Sequence, residues 1–148
     1  MKVKIKKLVP EATIPKYAKP GDAGLDLTAT SISIDEYGCI SYGTGIAMEI
    51  PEGFLGLIFP RSSNCKKDLI LTNSVGVIDS KYRGEIIAKF KPTEYFNIDD
   101  KPEEEMRIYD INDRICQIII IPYPQIEFEE VEELSSEDRR GGFGSTGT

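Results

Sequence analysis

The chain has no histidine and no tryptophan among its 148 residues. The missing histidine excludes the most. Ser-His-Asp triads, Cys-His dyads, HExxH zinc sites and His-ligated zinc deaminases all need an imidazole. A general base working near neutral pH is therefore expected to be a carboxylate. Basic residues are also in deficit, 18 against 25 acidic, for a net charge of −7. A duplex-binding protein carries a basic patch or stripe, so nucleic acid is not an expected partner. Cysteine is sparse: Cys39, Cys65 and Cys116 are far apart, odd in number and without a CxxC pair. They read as reduced, intracellular thiols, with Cys65 as a small thiol filling space. Long apolar runs are missing too. The longest aliphatic stretch, residues 118–121, falls far short of the roughly 20 residues a spanning helix needs. The basic N-terminus alternates and does not build a signal-peptide core. A soluble, cytoplasmic protein without membrane contact is expected.

What is present is a 40% hydrophobic, 29% charged composition, ordinary for a globular domain. At this length one domain buries about 70% of the surface its unfolded chain exposes. The apolar pattern has period two almost throughout. Val3 and Ile5 alternate with Lys2, Lys4 and Lys6, and similar runs cover 25–34, 46–50, 54–59, 85–90, 106–111, 115–121 and 126–131. Turn formers such as Pro20-Gly21-Asp22, Gly43, Gly45 and Pro51-Glu52-Gly53 separate them. Many short strands predict an all-β sandwich or barrel, with at most a short helix around 62–67. Residues 127–138 carry seven acidic groups and no basic one, and the last ten residues hold four glycines, two arginines and Phe143. This end is either a disordered tail or an arm that orders over a ligand. The aromatic set between Arg140 and Ser145 favours the arm.

Three segments carry possible chemistry. Gly142, Gly144 and Gly147 have GxGxxG spacing, but no following helix or βαβ unit supports a dinucleotide fold. What survives is a glycine backbone that lets N–H groups approach phosphate, with Ser145, Thr146, Arg139 and Arg140 beside it. Pro60-Arg61-Ser62-Ser63 puts an arginine and two hydroxyls at a strand end, which suits a phosphate, although by itself a surface turn is the plainer reading. The segment 73–85 reads as a hairpin with Asp79 and Tyr82 at its turn and strands on both sides. Aspartate commonly caps turns, so a structural role for Asp79 is the plainer reading. Five of the six arginines fall in these segments or in Arg114-Ile115-Cys116-Gln117, whereas the twelve lysines are mostly elsewhere. Arginine's planar fork suits bidentate phosphate contacts, so an acidic protein gathering it beside Gly/Ser turns points to a polyphosphate ligand.

The same residues resemble the homotrimeric dUTP pyrophosphatases, the dUTPases. Five motifs stand in family order: Ala23-Gly24-Leu25-Asp26-Leu27, Pro60-Arg61-Ser62-Ser63, the run 76–85, Arg114-Ile115-Cys116-Gln117, and 141–147. The resemblance implies a jelly-roll-like, β-clip subunit over 1–134 and a flexible arm over 135–148 that closes an active site shared within a homotrimer. The implied reaction takes dUTP and water to dUMP and pyrophosphate, which limits uracil in DNA and supplies dUMP for dTTP synthesis. By family position Asp79 would be the general base. Asp26 would hold a water of a Mg2+ ion from its outer shell. Arg61, Ser62, Ser63 and Gln117 would contact phosphate oxygens. Asn73 and the backbone of Gly76, Val77 and Ile78 would read the uracil edge. Tyr82 would pack against deoxyribose and exclude a ribose. Phe143 would stack over the base, with Gly144, Ser145, Thr146 and Arg139 or Arg140 gathered at the γ-phosphate.

Several positions depart from the family pattern. Ser63-Asn64-Cys65 stands where the second motif usually continues with glycine, Lys81 replaces a frequent acidic residue, and Cys116 replaces a common alanine. Asp138 occupies the usual place of the tail arginine, and the stretch 93–110 reads as an enlarged surface hairpin. A rival within the same fold, the dCTP deaminases, needs a glutamate where Lys89 stands. A rival of another class is a nucleotide-sensing interaction protein that binds dUTP with little turnover. The retained Asp79 argues against a form that only binds.

Overall fold

Alternation produces ten short strands in the computed structural model, which describes residues 1–93 and 107–135. In chain order they are β1 Lys4–Lys7, β2 Leu25–Thr28, β3 Ser31–Ile34, β4 Ile40–Gly43, β5 Ile46–Glu49, β6 Phe54–Pro60, β7 Leu69–Leu71, β8 Gly76–Ile78, β9 Ile87–Pro92 and β10 Arg114–Pro122. The expected short helix is a 3-10 turn, Ser62–Lys66. All pairings are antiparallel. One four-stranded sheet runs β2-β10-β6-β8, a second runs β3-β4-β9-β7, and β1-β5 forms a ribbon. This is the all-β arrangement the alternation implied, in the jelly-roll-like form that the family resemblance implied.

Inward positions of both sheets meet in one core that includes Leu27, Ile58 and Ile118 from the first, and Tyr42, Phe90 and Leu71 from the second. Strand β9 shows the rule directly: Ala88 and Phe90 point in, while Ile87, Lys89 and Lys91 point out. Tyr42, Phe90 and Tyr109 pack with ring centroids 5.7 to 5.9 Å apart. The Tyr42 hydroxyl, fully buried, bonds the backbone N–H and carbonyl of Tyr109.

Four expected segments are resolved differently. In the run 106–111 the described residues, 107–111, form no strand, and the Tyr109 backbone bonds the Tyr42 hydroxyl and not a neighbouring strand. Residues 25–34 are two strands in different sheets. Ala29 N–H bonds the Asp113 carbonyl and Thr30 N–H bonds the Gly43 carbonyl, so the chain changes sheet there. The 126–131 run is not a strand: β10 already has β2 and β6 as neighbours, and Ile126 and Phe128 stand 69% and 89% exposed. The 73–85 segment is not a hairpin whose arms pair with each other. β8 pairs with β6 and β9 pairs with β4 and β7, so residues 72–86 cross to the opposite sheet and return. Most of the stretch 93–110 lies outside the described residues. Its described ends converge on Asp68, which accepts from the Arg107 guanidinium and N–H, while its carbonyl takes the Thr93 N–H.

Candidate active site

Three adjacent strands, β2, β10 and β6, gather one group of the expected site residues. Asp26 on β2 lies in register with Gln117 on β10, and Gln117 with Phe59 on β6, just before Arg61. Asp26 Oδ1 accepts from Arg61 Nε at 2.7 Å and its Oδ2 from Arg114 Nη1 at 3.0 Å. Arg61 Nη1 donates to Ser63 Oγ at 3.1 Å, and Gln117 Nε2 to the Pro60 carbonyl at 3.1 Å. Asp26, Arg61, Ser62 and Gln117 line a cleft of about 280 Å³ with Asp22 and Gly24 on its wall. A side chain at Gly24 would collide with Gln117, since a Cβ there falls 2.3 Å from Oε1. The cleft thus offers a guanidinium, hydroxyls and an amide to a ligand, and a carboxylate holds the arginine in place. That set suits a phosphate.

Arg114 in this cluster was visible as an arginine but its role was not. Strict alternation would aim it with Cys116 into the core. A β-bulge between Arg114 and Cys116 shifts the register, pairing Arg114 with Thr28 and Cys116 with Leu27. The bulge re-aims the arginine toward Asp26. Cys116 is fully buried. Burial pushes its thiol up to about 12, the Asp26 carboxylate adds to the rise and Arg61 opposes it. Cys65, expected to fill space, is exposed, because the short turn that carries it buries none of its residues.

The second group lies on the crossover. β8 is the edge strand of its sheet among the described residues, so one side of Gly76, Val77 and Ile78 keeps backbone groups available to a ligand. Asn73 is exposed beside it and Ser74 takes a left-handed φ of 49°. Asp79 is exposed at the head of a turn closed by Tyr82 N–H to its carbonyl at 3.0 Å. The Tyr82 ring folds back over Gly84, where a Cβ would fall 2.5 Å from the hydroxyl, and that hydroxyl donates to the Glu85 carbonyl at 2.8 Å. Glu85 accepts the Gly45 N–H at 2.7 Å and pins the returning chain. Lys81 faces solvent. Lys89 is also exposed, paired with Asp35 at 3.1 Å on the outer face of β9.

The two groups do not meet within one chain. Ile78 pairs with Gly56 and Gly76 with Ile58, so β8 runs away from Arg61. Asp79 lies about six residue steps from Arg61 along β6, roughly 20 Å at strand rise. Arg139, Arg140, Phe143, Gly144, Ser145 and Thr146 lie outside the described residues.

The pattern that defines the dUTPase family matches residues 10–147. A deoxyuridine 5'-triphosphate nucleotidohydrolase of Hydrogenobaculum is 40% identical over 151 residues, covering 99% of both chains. Among solved structures, the Staphylococcus bacteriophage 80alpha dUTPase with dUpNHpp superposes with a TM-score of 0.80 at 28% identity, covering 99% of both chains. A mutant dUTPase of the S. aureus phage phi11, whose structure describes a structural Mg(II) ion, gives 0.71 at 25% identity, covering 90% of this chain and 98% of its own. With a family pattern spanning nearly its whole length and a relative this similar along all of it, the chain belongs to the dUTPase family.

Proposed function

We propose that the protein hydrolyses dUTP to dUMP and pyrophosphate, in sites that form only when three copies assemble. The observation that carries this reading is the cleft in which Asp26 holds Arg61 beside Ser62 and Gln117. It is a phosphate-shaped donor set whose two carboxylates are engaged, Asp26 by Arg61 and Arg114 and Asp22 by the Lys19 N–H, and the one exposed carboxylate in a family motif, Asp79, stands at the far end of β6. A neighbouring subunit that brings its own crossover to this cleft would complete the site.

Asp79 then takes a proton from a water that attacks the α-phosphorus, and the bond to the bridging oxygen breaks to release pyrophosphate. Arg61, Ser62, Ser63 and Gln117 hold phosphate oxygens. Asn73 and the open backbone edge of β8 read uracil, leaving no room for thymine's methyl. The Tyr82 ring, already fixed over Gly84, is the wall against a ribose 2′-hydroxyl. Residues 135–148 act as an arm from the third subunit: Phe143 covers the base, and Arg139 or Arg140 with Gly144, Ser145 and Thr146 meets the γ-phosphate.

No cluster among the described residues could cage a metal ion, and both Asp26 oxygens already accept from arginines. This donor set fits a hydrated magnesium that arrives on the triphosphate and touches Asp26 only through water. When bound, magnesium offsets the charge that develops on the leaving pyrophosphate. Three free cysteines suit a reducing cytoplasm, and no helix among the described residues is long and apolar enough to cross a membrane.

The test is pyrophosphate release with magnesium from dUTP, dCTP, dTTP and UTP in parallel, with ammonia measured for dCTP. Release from dUTP alone supports the reading. Ammonia from dCTP would overturn it in favour of deamination, and binding of dUTP without release would favour a sensor.

A further inference from the structure

Behind the phosphate cleft, the Tyr109 hydroxyl sits in a directed chain of hydrogen bonds. Asn64 Nδ2 donates to the Leu69 carbonyl at 2.8 Å. A carbonyl only accepts, so this contact fixes the amide's orientation. Tyr109 Oη therefore donates to Asn64 Oδ1 at 3.0 Å. Its one proton is then committed to Asn64. The chain runs from Tyr109 through Asn64 to Leu69, and Asn64 stands on the same turn as Ser63, whose Oγ accepts from Arg61 Nη1.

Beyond the ties of Arg61 to Asp26 and to the Arg114 carbonyl, few side chains hold the turn that bears Arg61, Ser62 and Ser63. Its 3-10 helix buries no residue and has no side-chain cap at its start. Tyr109, by contrast, is 2% exposed and cannot shift easily. Its backbone is bonded on both sides to the Tyr42 hydroxyl, and its ring packs against Tyr42 and Phe90. Lys67 places its ammonium 4.9 Å from the centre of the same ring and donates to the Ile108 carbonyl. Asn64, one of the departures from the family motif, is thus the link between an exposed turn and a rigid aromatic core.

We propose that Tyr109 is a positioning residue for phosphate binding: through Asn64 it fixes the turn so that Arg61 and Ser62 face the cleft before substrate arrives. A guanidinium tied at Nε by Asp26 and at Nη1 by Ser63 loses little further freedom on meeting a phosphate. This rests on the dUTPase reading above.

Tyr109→Phe removes only the hydroxyl and leaves the ring in the core. It should raise KM for dUTP about three- to tenfold, the worth of one neutral hydrogen bond, with kcat essentially unchanged. The inhibition constant of deoxyuridine, which has no phosphate, should not move. Asn64→Ala should give the same split, and the double variant should be no worse than either single one. An unchanged KM, or equal weakening of dUTP and deoxyuridine, would overturn the proposal. If Tyr109→Phe does not fold, Asn64→Ala carries the same expectation without touching the core. If the unaltered protein releases no pyrophosphate from dUTP, the dUTPase reading fails. Calorimetric binding of inorganic pyrophosphate then decides this one: Tyr109→Phe should bind it about three- to tenfold more weakly, and equal binding would sink it.

Discussion

Ile78 lies in register with Gly56, and that pairing decides which end of β6 faces Asp79. With Arg61 beyond the opposite end, the proposed reaction draws its base and its phosphate clamp from different copies. Asp79→Asn and Arg61→Ala should each be inactive as homogeneous proteins. Refolded together, they should regain activity, because about a quarter of the sites in random trimers would pair an intact Asp79 with an intact Arg61. Activity that stays at zero in every mixture would place both residues in one chain's site.

The Asp79 carboxylate is exposed on a turn whose closing hydrogen bond uses backbone atoms only. Asp79→Asn should therefore fold normally. Loss of a positioned general base costs about 10²- to 10⁴-fold in rate, so kcat should fall by that order while a non-hydrolysable dUTP analogue still binds. Steady-state kinetics and calorimetry read the two effects separately, and a variant with near-normal kcat would remove Asp79 as the base.

Gly24 leaves room for Gln117, and a Cβ there would stand 2.3 Å from Oε1 and 3.0 Å from Cδ. Gly24→Ala should expel the amide from the cleft and lower kcat/KM roughly tenfold, the value of one hydrogen bond to a charged group. The effect should largely vanish in a Gln117→Ala background, where the obstructing amide is gone. Additive losses in that double variant would mean that Gly24 acts in some other way.

Burial of Cys116 and Tyr42 has a consequence at alkaline pH. The Cys116 thiol ionises near 9.0 when unfolded and at about 12 when folded, and the Tyr42 phenol shifts from 10.0 to about 12, burial being the main cause in both. Between those values the folded chain binds more protons than the unfolded one, so stability falls as pH rises. The melting temperature should hold up to about pH 9 and then drop progressively toward pH 12. In Cys116→Ala the decline should begin later, near pH 10, as the buried phenols of Tyr42 and Tyr109, both raised by burial, then contribute without the thiol. A melting temperature flat across this range would contradict the burial of both groups.

Much of this was legible in the residues themselves. Alternation gave the all-β class because a strand with one wet face must repeat every two residues. The absence of histidine restricted the base to a carboxylate, and the gathering of arginine at Gly/Ser turns pointed to polyphosphate. Side-chain chemistry and period are local properties, and local properties survive in a sequence. Pairing is not local. Nothing in the run 25–34 says that the chain changes sheet at Ala29 and Thr30, and nothing in 73–85 says that its two arms pair elsewhere. The bulge that turns Arg114 onto Asp26, and the contact of Tyr109 with Asn64 across 45 residues, exist only because distant strands settle side by side. The sequence by itself determined which chemical groups the chain has to offer. Tertiary structure alone decided which stand together, because register and strand partners are fixed by the packing of one shared core.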